Sequence, residues 1–126
     1  HLTGRRKNIF ITSFGRNVSP EWVESALSAT PEIEQVWVHG EARPWNAAVI
    51  TPAPGCDSPA VDAAVARVNR TLPDYARIGA WIRSERPFSY DTGELTVNGR
   101  LRREALLARY RAHLERLYKV NPAHVL

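Results

Sequence analysis

The chain has 126 residues and a mass of 14.2 kDa, enough for one compact domain with a genuine core. Hydrophobic residues at 44% and charged residues at 24% exclude a disordered chain, and no apolar run approaches the roughly 20 residues of a membrane span. The net charge of +4, carried mainly by arginine, leaves three readings open: nucleic acid, a phosphate-rich small molecule, or a solvated basic surface. Cys56 stands alone, so an internal disulfide is excluded and a reducing cytoplasm is the expected compartment. The basic start His1-Leu2-Thr3-Gly4-Arg5-Arg6-Lys7 has no apolar stretch behind it to make a signal peptide, and the missing initiator Met points to a chain cut from something longer.

Residues 8–13 (N-I-F-I-T-S) are β-branched and aromatic and predict a strand, followed by a glycine-centred turn at Phe14-Gly15-Arg16-Asn17. Ser19-Pro20-Glu21 predicts a helix start, with Ser as N-cap, Pro at the first helical position and an acid in the first turn. Trp22, Val23, Ala26 and Leu27 continue at helical spacing until Thr30-Pro31. Ile33–His39 and residues 47–51 predict two more strands, the second apolar enough to be central. A breaker-rich loop leads to Ser58-Pro59, where a second Ser-capped helix runs along Val61, Ala64, Val65, Val68 and Leu72 to Pro73.

Residues 78–84 predict a fourth strand, and 87–95 an irregular segment. A last helix spans about 102–118, with Leu107, Tyr110, Leu114 and Leu117 on one face. The predicted order is βαββαβα, a small α+β domain with a mixed sheet and helices on both faces, and no internal boundary. Trp22, Trp37, Trp45 and Trp81 read mostly as core, which weakens an aromatic platform for nucleic acid. His1, His39, His113 and His124 lack ligand spacing, so no metal is expected, and Cys56 reads as a bystander.

Two loop segments carry the chemistry: residues 4–24, with Gly4-Arg5, Lys7, Gly15, Pro20-Glu21-Trp22-Val23 and Glu24, and the run Leu95-Thr96-Val97-Asn98-Gly99-Arg100-Leu101-Arg102-Arg103. In this order and about 80 residues apart, they resemble the start of the C-terminal subdomain and the late Thr-x-Asn-Gly-Lys loop of the adenylate-forming superfamily. The branch that fits best is the AMP-forming long-chain acyl-CoA synthetases. Gly40-Glu41-Ala42-Arg43-Pro44, Val68-Asn69 and Leu117-Tyr118 extend the likeness over almost the whole chain.

The resemblance implies a mobile lid on an N-terminal adenylating domain of the same chain, inactive alone. Its parent would use ATP/Mg to adenylate a fatty acid and coenzyme A to form the thioester. It implies Arg5 near the nucleotide, Lys7 at the hinge and Gly15 in the turn that meets the pantetheine arm. Arg100 stands where the family has a catalytic lysine, and Arg102 and Arg103 are possible contacts for coenzyme A phosphates. Glu24 reads as a structural acid orienting the glycine turn.

Arg100 is the departure: it keeps the cation but as a planar fork. Either it works with altered geometry, or the lid is degenerate and structural or regulatory. A free-standing basic module for nucleic acid is the alternative from another class.

Overall fold

The computed structural model describes residues 9–120 of the chain. Its elements, in order, are β1 (Phe10–Ile11), β2 (Asn17–Val18), α1 (Pro20–Ser28), β3 (Ile33–His39), β4 (Asn46–Pro52), α2 (Ser58–Asn69), a short 3₁₀ turn at Asp74–Ala76, β5 (Ile78–Arg83) and α3 (Arg103–Val120). The expected first strand is shorter and does not join the main sheet. Thr12 already belongs to the turn, so only Phe10 and Ile11 pair, with Val18 and Asn17 of a separate two-stranded hairpin. The order is therefore ββαββαβα.

The main sheet runs β3-β4-β5, antiparallel then parallel. β4 is central as expected, and its alternation divides two cores. Ala48 and Ile50 pack with Val36 and Val38 of β3, Val23 and Leu27 of α1, Val61, Ala64, Val65 and Val68 of α2, and Phe10 and Val18 of the hairpin. Ala47 and Val49 pack on the other face with Trp37, Trp45, Phe88 and the α3 residues Leu106, Tyr110, Leu114 and Tyr118. Period-two side-chain alternation thus places α1 and α2 on one face and α3 on the other.

The details of that burial depart from the sequence reading in three places. The α3 stripe is Leu106, Tyr110, Leu114 and Tyr118, with Leu107 and Leu117 only partly buried. At 3.6 residues per turn adjacent positions compete for the core, and Tyr118 wins by donating its hydroxyl to the carbonyls of Trp45 (2.9 Å) and His39 (3.2 Å). Asp57, not Ser58, caps α2 by accepting the Ala60 N–H at 3.0 Å; Ser19 does hold the α1 N-cap position, but its side chain makes no capping bond. Trp37 and Trp45 are buried, Trp81 half-buried with its ring N–H on Asp62, and Trp22 exposed.

Side-chain clamps set the registers that backbone pairing leaves free. Asn69 at the end of α2 both donates to and accepts from Ile78, starting the parallel strand β5. Gln35 of β3 does the same for Phe88, tying down the long segment before α3. Glu24 of α1 accepts the Val38 N–H at 2.8 Å and both guanidinium arms of Arg103 at 2.8 and 2.7 Å. Burial pushes the Glu24 carboxyl above the usual carboxylate range while Arg103 pulls it back. Removing one partner of such a pair leaves the other charge unmatched in a dry site. Glu24→Ala and Arg103→Ala should each cost about 3 kcal/mol in urea unfolding and the double variant about 4 kcal/mol, giving a coupling of about 2 kcal/mol. Additive losses would mean that the two side chains act independently.

Candidate functional site

The two segments singled out above form two turns of the same construction. In the first, Thr12 accepts the Gly15 N–H on its carbonyl (2.9 Å), donates its own N–H to the Arg16 carbonyl (3.0 Å), and accepts the Arg16 N–H on its hydroxyl (3.2 Å). In the second, Thr96 makes the same three bonds, with Gly99 (2.9 Å), the Arg100 carbonyl (2.8 Å) and the Arg100 N–H (3.1 Å). Gly15 and Gly99 hold φ of +80° and +86°. Both are Thr-x-x-Gly-Arg sequences, a three-residue hairpin loop closed by a left-handed glycine.

Arg100, at the end of its turn, is exposed and makes no side-chain hydrogen bond or ion pair among the described residues. The turn stands on the Leu95–Leu101 bridge and on the Arg102 N–H donated to the Glu94 carbonyl at 2.8 Å. Glu94 itself is buried, accepting from the Thr92 hydroxyl (2.7 Å) and paired with Arg109 (2.6 Å), so the base of the turn is fastened to α3. An open groove of about 310 Å³ lies between Leu95, Gly99 and Leu101 on one side and Glu21, Glu24 and Glu34 on the other.

The other expected residues are placed less uniformly. Gly15 sits in the exposed turn between β1 and β2, and a Cβ there would meet no atom within 4 Å. Arg102 is half-exposed, 3.6 Å from Glu104. Arg103 is committed to Glu24. Glu24 makes no hydrogen bond to the glycine turn that it was expected to orient; it holds β3 and α3 instead. Arg5 and Lys7 lie outside the described residues. No hydrogen bond joins the two turns.

The sequence reading missed the arginine of the first turn. Arg16 lies over the Tyr75 ring at 4.1 Å, and the repeated Thr-x-x-Gly-Arg string was the signal that marks it. It also missed His39, which lines a second groove with Ile9, Trp37, Glu41 and Arg103. Burial lowers the His39 pKa from 6.5 to about 4, with Arg43 and Arg111 pushing the same way. Among the described residues, no three His, Cys, Asp or Glu side chains gather as metal ligands, and no helix is long and apolar enough to cross a membrane.

The small α+β domain thus carries two exposed glycine turns of one construction, each ending in an arginine. The AMP-binding enzyme C-terminal domain family matches residues 7–121, and the chain belongs to that family. It is 28% identical to the long-chain-fatty-acid–CoA ligase FadD15 of Mycobacterium tuberculosis, over 93% of this chain and 24% of that protein. It is 27% identical to the Arabidopsis thaliana long-chain-fatty-acid–[acyl-carrier-protein] ligase AEE15, over 93% of this chain and 18% of the ligase. In the structure of the A-PCP didomain of carboxylic acid reductase from Segniliparus rugosus in complex with AMP, the likeness has a TM-score of 0.80 and 30% identity. It covers 91% of this chain and 18% of that one. The chain thus spans about a quarter or less of these relatives.

Two expectations follow from the geometry. Gly15→Ala and Gly99→Ala should each cost about 1 kcal/mol, from φ alone, because space around both is open. Gly40→Ala should cost about 3 kcal/mol, because its Cβ would run into the Asn46 side chain and the Phe10 ring. Urea unfolding that ranks Gly40 below the other two would contradict this packing.

The second concerns pH. His39 is neutral in the folded chain at pH 7, and its folded pKa lies below its unfolded one. Stability from this residue is whole above about pH 6.5 and is lost as pH falls toward about 4, where the unfolded chain binds a proton that the fold resists. Glu24, shifted upward, contributes the opposite slope over the lower part of that range. Comparison with His39→Gln isolates the histidine: the variant should lose about 1–2 kcal/mol less than the parent between pH 7 and pH 5. Parallel profiles would show that His39 does not titrate in this way.

Proposed function

We propose that this chain is the mobile lid of an AMP-forming acyl-CoA synthetase, acting with an N-terminal adenylating domain of the same polypeptide. The observation that carries the reading is Arg100, a cation with no side-chain partner among the described residues, held at the end of a fastened turn, at the position where the family has its lysine. In the first half-reaction the acid's carboxylate attacks the α-phosphorus of ATP/Mg, forming the acyl-adenylate and releasing pyrophosphate. Arg100 stabilises the charge that grows on the phosphate oxygens during that attack. By its likeness to the family, Arg5 is assigned to the nucleotide at the junction. The lid then pivots about Lys7 and brings the Gly15 turn to the site. The coenzyme A sulfur attacks the acyl carbon as a thiolate, and AMP leaves with the bonding pair.

Further assignments follow from the same reading. Arg102, half-exposed, is the better placed of the two arginines offered to coenzyme A phosphates, since Arg103 is held by Glu24. The substrate class is a medium- or long-chain fatty acid, in line with relatives named as long-chain-fatty-acid ligases, and the compartment is the cytoplasm, as the lone Cys56 suggests. Neither this domain nor its arginines complete an active site alone.

A degenerate lid is the second reading, favoured by arginine standing in place of lysine. In the full-length protein, Arg100→Ala should slow adenylation by about 10²–10³ and leave thioester formation from preformed acyl-adenylate unchanged. Arg100→Lys should hold the first rate. Single-turnover measurement of each step decides: no loss with alanine and a sharp gain with lysine identifies a degenerate lid, and no response to either removes Arg100 from the chemistry.

A further inference from the structure

The duplication of the turn gives Arg16 a role that a likeness in sequence does not. The three backbone and hydroxyl bonds of Thr12-Ser13-Phe14-Gly15-Arg16 repeat those of Thr96-Val97-Asn98-Gly99-Arg100 with each distance within 0.2 Å. Each turn also lifts an apolar side chain into solvent, Phe14 at 75% and Val97 at 79% exposure. Local geometry therefore delivers Arg16 from its turn as it delivers Arg100 from the other.

The two arginines differ in one respect: Arg16 lies with its guanidinium 4.1 Å from the Tyr75 ring centroid, where Arg100 has no ring beneath it. Stacking uses the flat face of a guanidinium and leaves its N–H donors free around the edge. Among the described residues, no carboxylate or carbonyl takes those donors. An arginine fixed by its face and unsatisfied at its edge is pre-organised for a bidentate anion such as phosphate.

We propose that Arg16 binds a phosphate of the incoming thiol in the second half-reaction, so that each turn brings its own arginine to its own step. The ligand class is a phosphorylated pantetheine thiol, whether coenzyme A or the phosphopantetheine arm of a carrier protein. This rests on the lid reading above, in which the Gly15 turn faces that thiol. Tyr75 holds the guanidinium in place and contributes no charge. Replacing the Arg16 side chain spares the turn, because its three closing bonds use only the Arg16 backbone and Thr12.

The test is single-turnover thioester formation by the full-length protein from preformed acyl-adenylate, with coenzyme A, phosphopantetheine, unphosphorylated pantetheine and a holo-carrier protein as acceptors. Arg16→Ala should raise the half-saturating concentration of coenzyme A at least tenfold, with pantetheine kinetics, adenylation and thermal midpoint unchanged. Arg16→Lys should recover part of that loss, and Tyr75→Leu should reproduce part of it. An equal effect on phosphopantetheine and the carrier protein assigns the contact to the phosphate on the pantetheine arm; an effect on coenzyme A alone assigns it to the phosphates nearer the adenosine. The proposal is overturned if Arg16→Ala acts equally on pantetheine, slows adenylation, or changes nothing. Pyrophosphate exchange by the unaltered protein separates the two ideas: normal exchange with a silent Arg16→Ala sinks this inference alone, and absent exchange sinks the lid reading as well.

Discussion

Glu24 meets Arg103 across 79 residues of chain, and the contact joins three elements at one point: α1 through Glu24, β3 through the Val38 N–H, and the first turn of α3 through Arg103. The carboxylate is almost dry, and burial raises its pKa in spite of the arginine. An ion pair under that constraint contributes less to net stability than it does to position. Its energy falls steeply if either partner shifts, because the Glu24 carboxylate has almost no water to fall back on and Arg103 only a little. The geometry that follows is specific. Arg103 comes three residues after Arg100, and Glu24 lies in the helix that the Gly15 turn feeds through Val18. Both turns therefore spring from elements that this pair locks together, although no bond runs between the turns themselves.

Around the lock, the sheet supplies the stiffness. β4 is paired on both edges and covered on both faces, so its side chains alternate between the α1–α2 core and the α3 core with no solvent-facing position until Pro52. Gln35 and Asn69 then use side-chain amides as if they were backbone, fastening the segments on either side of β5. The proposed lid motion relies on this kind of interior, in which small shifts are resisted and motion is passed to the junction.

How much of this was legible in the sequence depended on whether the signal was local. The strand at Ile33–His39, the central strand, the two Pro-led helices and the amphipathic last helix all rest on short-range periodicity, and they form where expected, α2 ending at Asn69 before Leu72. What failed was decided by distant partners. Residues 8–13 have strand propensity, but only Phe10 and Ile11 find a pairing edge, so the expected sheet strand became half of a hairpin. On α3, Tyr110 and Leu114 are buried as expected, but at the ends of the stripe Leu106 and Tyr118 are buried more deeply than Leu107 and Leu117, Tyr118 because it reaches the carbonyls of Trp45 and His39. Glu24 is structural, but its partners are Val38 and Arg103 rather than the glycine turn, and nothing near it in sequence points to Arg103. Arg103, a possible coenzyme A phosphate contact by resemblance, is paired with Glu24. The equivalence of the two turns was legible all along in Thr-x-x-Gly-Arg; attention to the glycines hid the threonine that closes each loop.

That threonine bears on the departure at Arg100. Its hydroxyl accepts the Arg100 N–H while its backbone closes the ladder at the same residue, so both the N–H and the carbonyl of Arg100 are pinned. With the backbone pinned, only side-chain rotation can aim the charge, and the reach of the residue becomes the variable. A lysine ammonium is a compact, strongly hydrated point that must be brought close to one oxygen. A guanidinium spreads its charge over a plane and can engage two oxygens of a phosphate from one orientation. In the proposed cycle, substitution of the fork for the point trades placement on a single developing charge for a bidentate hold on the phosphate group. The same turn at Arg16 puts the same fork on a fixed stem, there steadied further by Tyr75. On the proposed reading the repeated turn presents the same fork at both loops, and arginine at position 100 fits that pattern.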